Sequence, residues 1–215
     1  MDVASVGIRI SYVIILLVLV TLVFVSYAKV TDNEMVYVQS DVDSEYYLVR
    51  NTKDKRRAAN LLASIKSDIM DVSEYMSLKL KSTNKEDITR YGPYKEYIEQ
   101  LERNLRSVVI RESDFNTVYT SYTVNKGESI VFCIRSKSIS NLLNKSTIHD
   151  KNLVMYVALH EISHVACPEV GHTPLFKKIF KFICEVGMEI GIYRKIDFDS
   201  SPEMYCGMMI TDSIV

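Results

Sequence analysis

The segment Val157–Phe176, VALHEISHVACPEVGHTPLF, holds three of the chain's four histidines. Inside it stands His160-Glu161-Ile162-Ser163-His164. Two histidines at i and i+4 lie on one face of a helix, so their rings can converge on a single metal ion. The carboxylate after the first histidine then stands beside the ion rather than on it, where it can take a proton from a metal-bound water. This spacing serves that chemistry only on a helix. From Leu153 to Ala166 the only charge, with histidine neutral, is Glu161, and the stretch contains no Pro or Gly. Asp150 is placed to cap such a helix.

A catalytic zinc takes three protein ligands and keeps one position open. Pro168 should end the helix near Ala166 or Cys167. Gly171 permits a reversal, and Thr173-Pro174 reads as the N-cap and first residue of the next helix, Leu175–Ile190. His172 would then sit at the mouth of that helix, ready to fold back onto the ion, and is the preferred third ligand. Cys167, Glu169 and Glu185 are its rivals. His149 lies outside the cluster and reads as a loop residue. The expected cofactor is therefore Zn2+ on His160, His164 and His172, with Glu161 as general base and then proton donor to a leaving amine. Tyr205 is a candidate oxyanion stabiliser if the end of the chain returns to the site, although a core tyrosine needs no such role.

Other elements must hold these residues. Ala58, Leu61, Leu62, Ile65, Ile69, Val72 and Met76 recur at spacings of three and four, which predicts a helix from Asp54 onward, capped by Asn51 or Thr52. Residues 81–92 read as a polar break. Pro93 opens a second helix with Tyr94, Tyr97, Ile98 and Leu101 on one face. Ser107–Arg111 reads as a strand. Residues 117–135 read as a β-hairpin turning at Asn125-Lys126-Gly127. Residues 136–148 form a Ser/Asn-rich loop. Phe176, Ile179, Phe180, Ile183 and Val186 are the core stripe of the last helix.

The chain has 215 residues, a net charge of −1, 47% hydrophobic and 25% charged residues, which excludes overall disorder. Its balance lacks the strong basic excess of a dedicated nucleic-acid binder, so no nucleic-acid partner is expected. Four cysteines without a Cys-x-x-Cys pair make neither a disulfide scaffold nor a zinc ribbon. Cys133 and Cys184 fall at buried positions, and Cys133 with Cys206 is a pair that could oxidise in a lumen. Residues 10–28 carry no charge over 19 positions, long enough to cross a hydrocarbon core. They predict a single-pass N-terminal anchor within residues 1–30. The alternative is a signal peptide cleaved after Ser26-Tyr27-Ala28. Arg9 and the acidic stretch 31–50, a tether or edge strand, place the body outside the cytosol or in a lumen, and the sequon Asn144-Lys145-Ser146 points the same way. Residues 51–215 form the remaining domain.

HEISH followed by Gly171-His172 and Phe176 resembles the zincin peptidases of the WLM and SprT-like type, in which a third histidine follows the His-Glu-x-x-His helix and precedes an aromatic. The likeness covers about residues 150–185. SYTVNKGESIVFCIRS, from Ser121 to Ser136, and Tyr205-Cys206-Gly207-Met208 also resemble WLM-like proteins of large DNA viruses. The resemblance implies an α+β fold with a zincin-like core. There a long helix packs behind a small sheet, whose edge strand runs beside the active-site helix. The hairpin 117–135 would supply that strand and bind a substrate peptide by strand addition. The interval from His164 to His172 exceeds the usual WLM interval and lacks the glycine of metzincins. Relatives acting on DNA–protein crosslinks are soluble and nuclear, unlike an anchored chain of near-neutral charge. The expectation is a membrane-anchored zinc metallopeptidase acting on a peptide or protein substrate. Its rival is an anchored structural or scaffolding protein, such as one of a virion held to other structural proteins, with a structural or vestigial zinc site.

Overall fold

A computed structural model of the chain describes residues 12–25, 35–115, 117, 119–136 and 147–215. Residues 12–25 are helical (α1) and exposed throughout. These 14 residues span about 21 Å at the α-helical rise, against a hydrocarbon core of about 30 Å. Among the described residues no helix is long and apolar enough to cross a membrane. The expected transmembrane helix, and the single-pass localisation drawn from it, are corrected accordingly. Ser26-Tyr27-Ala28 and the sequon at 144–146 lie outside the described residues.

The body is α+β. β1 (Met35–Gln39) and β2 (Tyr46–Arg50) pair antiparallel. The stretch 31–50, read as a tether or edge strand, thus contributes a two-stranded sheet. α2 (Lys55–Leu80) buries Ala58, Leu62, Ile65, Ile69, Val72 and Met76 of the predicted stripe, while Leu61 is half-buried. Its N-cap is Asp54, not Asn51 or Thr52, and Asp54 makes no side-chain cap bond. The Asp54 carboxylate is engaged elsewhere, by Thr52 Oγ1 at 2.8 Å and Arg135 Nη1 at 2.6 Å.

The polar break holds a short helix, α3 (Lys85–Tyr91). The Asn84 side chain accepts from the Glu86 amide at 2.8 Å, and Glu86 and Asp87 suit the positive end of the helix dipole. A 3-10 turn, Gly92–Tyr94, leads into α4 (Lys95–Leu105), which buries Ile98, Leu101 and Leu105.

β3 (Val109–Glu112), β4 (Tyr122–Val124) and β5 (Ser129–Phe132) form one sheet in the order β3-β5-β4. β5 runs parallel to β3 and antiparallel to β4, so β4 lies at an edge. The turn joining β4 to β5 has positive φ at Asn125, Lys126 and Gly127. A Cβ at Gly127 would stand 3.1 Å from Val165 and 3.2 Å from Asn104, so the turn presses on both α4 and the following helix.

That helix, α5 (Lys151–Ala166), is capped by Asp150, whose carboxylate accepts from the Asn152 amide at 2.9 Å. It ends before Pro168, as expected. Thr173 caps α6 (Pro174–Glu189) by accepting from the Phe176 amide at 3.2 Å. A last hairpin, β6 (Glu203–Tyr205) and β7 (Met208–Ile210), returns to the sheet. The Cys133–Cys206 disulfide ties it to the end of β5. Cys167 and Cys184 are free and buried.

Candidate metal centre

α5 carries His160 and His164 one turn apart, and the reversal before α6 carries His172. The Nε2 atoms of the three rings lie 3.2 Å (His160–His164), 3.2 Å (His164–His172) and 3.1 Å (His160–His172) apart. A tetrahedral zinc bound at about 2.0–2.1 Å would space its nitrogens about 3.3–3.4 Å apart, so the donor set fits such an ion. Among the described residues, these three are the His, Cys, Asp and Glu side chains whose donor atoms converge on one point. Burial, then the charges of His164 and His172, pushes His160 down to about 3. Burial, then His172 and Lys126, pushes His164 down to about 4. Both imidazoles are thus neutral at physiological pH, the form that binds a metal.

The surroundings hold the rings in place. Phe176 stacks on His164 with ring centroids 4.1 Å apart and lies 5.0 Å from His160. Phe180 meets His160 edge-on at 5.0 Å. Both phenylalanines come from the core stripe of α6, so the helix that follows His172 also packs behind its partners.

Glu161 is 4% exposed. Burial raises its carboxyl to about 7, against the lowering effect of a hydrogen bond from Thr123. Thr123 Oγ1 donates to Glu161 Oε2 at 2.8 Å and stands 3.2 Å from the Glu161 carbonyl. The edge strand β4 therefore touches the helix at the one acidic residue of its motif.

The rivals for third ligand lie elsewhere. Cys167 is buried, and the carbonyls of Cys167 and Glu169 accept from Lys126 Nζ at 2.7 and 2.6 Å. Glu185 acts electrostatically on Tyr94 and Arg90. His149 Nε2 accepts from the Cys206 amide at 3.4 Å, outside the cluster. Tyr205 does return: it is buried, its hydroxyl meets Ser121 Oγ at 2.7 Å, and it lines the same cleft as the histidines.

The chain is 39% identical over 209 residues to uncharacterised protein R325 of Acanthamoeba polyphaga mimivirus, covering 95% of this chain and 98% of that protein. The chain belongs to the family of this mimivirus protein. Over 73 residues, 34% of the chain, it is also similar to two shorter matches. They are uncharacterised protein 136R of Invertebrate iridescent virus 6, at 38% identity, and 042R of Invertebrate iridescent virus 3, at 37%. Those matches cover 38% and 42% of the iridescent virus proteins. No protein-family model matches the chain. No solved structure matches it.

In this mimivirus-type chain, three positioning residues escape sequence reading. Thr123 gives no signal, since threonine is common in strands for packing reasons. Lys126 looks like a turn residue, yet its ammonium gathers the carbonyls of His164 (3.3 Å), Cys167 and Glu169. Gln100 Nε2 donates to the Val165 carbonyl at 2.8 Å. Together Lys126 and Gln100 satisfy carbonyls left open at the end of α5 and fix the start of the loop that brings His172 back.

Proposed function

We propose that the chain is a zinc-dependent peptidase, with His160, His164 and His172 as the metal ligands and Glu161 as general base. The observation that carries this reading is three ring nitrogens converging beside a buried, near-neutral carboxyl in an open cleft of about 990 Å3. Zinc bound there supplies a Lewis acid that polarises a water and a peptide carbonyl. Glu161 then takes a proton from the attacking water and hands it to the departing amine. A carboxyl at about 7 suits both transfers near neutral pH. Thr123 fixes one carboxylate oxygen and leaves the other for the proton. Phe176 and Phe180 back the histidines with apolar surface, which strengthens every polar interaction in front of them. An extended substrate can add to the edge strand β4.

The test is the zinc-loaded full chain incubated with a mixture of peptides, with products read by mass spectrometry. Wild type should cleave; Glu161→Gln should keep its zinc and lose on the order of a hundredfold or more in rate. Equal turnover in both, or a zinc-loaded wild type that cleaves no peptide, contradicts the proposal.

A further inference from the structure

The cleft has two unlike halves. Near the C-terminal end of α5 it is polar, with Thr123, Asn125 and Lys126. Along the preceding turns of the helix it is lined by Tyr156, Phe180, Met208, Ile210 and Ile214. Tyr156 precedes His160 by four residues and so shares its face. The Phe180 ring lies 5.0 Å from His160 and 5.3 Å from Tyr156, so the apolar wall begins at the first histidine of the triad. Met208 and Ile210, on β7, stand partly open to solvent at its rim.

Residues 211–215 complete this wall. The Tyr156 hydroxyl donates to the Asp212 carbonyl at 3.4 Å, and the Ile214 backbone bonds to the same hydroxyl. Ile214 and Val215 pack against the core. An irregular, non-helical backbone thus lies against Tyr156, with Ile214 itself part of the wall. The one acidic lining group on this side is the exposed Asp212, which opposes an incoming carboxylate.

Resting on the peptidase reading, we infer that this apolar half is a side-chain subsite selecting peptides with a bulky aliphatic or aromatic residue next to the scissile bond. Burial of a leucine or phenylalanine side chain there is worth roughly tenfold to a hundredfold in binding. An aspartate would lose its water and face Asp212, whereas a lysine would meet only that exposed carboxylate.

The experiment uses the full chain carrying Glu161→Gln, loaded with zinc, and fluorescein-labelled peptides that differ at one position: Leu, Phe, Asp or Lys. Binding is read by anisotropy, and the same peptides are offered to wild type. The Leu and Phe peptides should bind at least about tenfold more tightly than the Asp peptide, and wild type should cut beside them. Ile210→Lys should narrow or invert that ratio. Ile210→Thr should narrow it less, and serves if the lysine variant fails to fold. Equal binding of all four peptides, or an unchanged ratio in both Ile210 variants, overturns the subsite. Cleavage without discrimination removes the subsite and leaves the peptidase reading standing. Discrimination in binding with no cleavage by wild type supports the subsite and removes the peptidase reading.

Discussion

Among the described residues, two groups of charged or titratable side chains are built on opposite rules. In one, every charge meets an opposite. Glu112 accepts from Arg135 Nε at 2.6 Å and from the Arg50 amide at 2.8 Å, and Arg135 also reaches Asp54. Arg50 spends its remaining donors on Ser113 and the Asp114 carbonyl. These contacts tie β2, β3, the end of β5 and the start of α2 together. In the other group, three imidazoles face one another with no anion among them, and Glu161 holds a single side-chain hydrogen bond, from Thr123. The first group pairs its charges internally, leaving only Arg135 Nη2 without a partner, and positions the backbone. The second leaves three ring nitrogens converging on one point, the arrangement the proposed metal would use.

The comparison breaks or sharpens on variants placed in each group. The largest effect should come from Glu161→Gln, which removes the proton acceptor: peptide turnover falls about a hundredfold to ten-thousandfold, while urea unfolding changes little. If stability collapses instead, Glu161 belongs with the structural group. Glu112→Gln should do the reverse. It leaves two buried guanidinium groups short of a counter-charge and costs about 3–5 kcal/mol in urea unfolding, with zinc per folded chain unchanged. Loss of zinc without loss of stability would merge the two groups.

His172→Ala should weaken zinc binding by on the order of a hundredfold in competition with a chelator. Unaltered affinity would give the third ligand to another side chain. The smallest effect belongs to Thr123→Val. Its hydrogen bond favours the charged carboxylate, so its removal raises Glu161 further above its ordinary value. The base form is then lost sooner as pH falls, and the acidic limb of the kcat/KM profile moves to higher pH. A limb that stays in place would detach Thr123 from the chemistry.

What the sequence made legible follows a physical pattern. The α2 stripe and the His-Glu-x-x-His helix are visible because their meaning lies in spacing along one helix. Asp150, Thr173 and Pro174 mark helix starts by local chemistry, which sets His172 just before α6. The ion network has no such local signature: Arg50 and Glu112 are 62 residues apart, and Glu112 and Arg135 are 23 apart. α3 hides in a polar run because its cap and first-turn acids, not an apolar face, support it. The cap of α2 departs from the expected Asn51 or Thr52, since Thr52 Oγ1 bonds Asp54, whose carboxylate also holds the distant Arg135. For the apolar stretch at the N-terminus hydropathy is no guide to length, since it measures how well a segment suits lipid, and the described helix covers residues 12–25.

The most direct measurement is zinc per chain, by elemental analysis of the purified full chain beside His160→Ala. About one zinc per wild-type chain, absent from the variant, is the predicted result. A folded wild-type chain that holds no zinc, even after the metal is supplied, would contradict the central claim and leave three histidines that merely pack together.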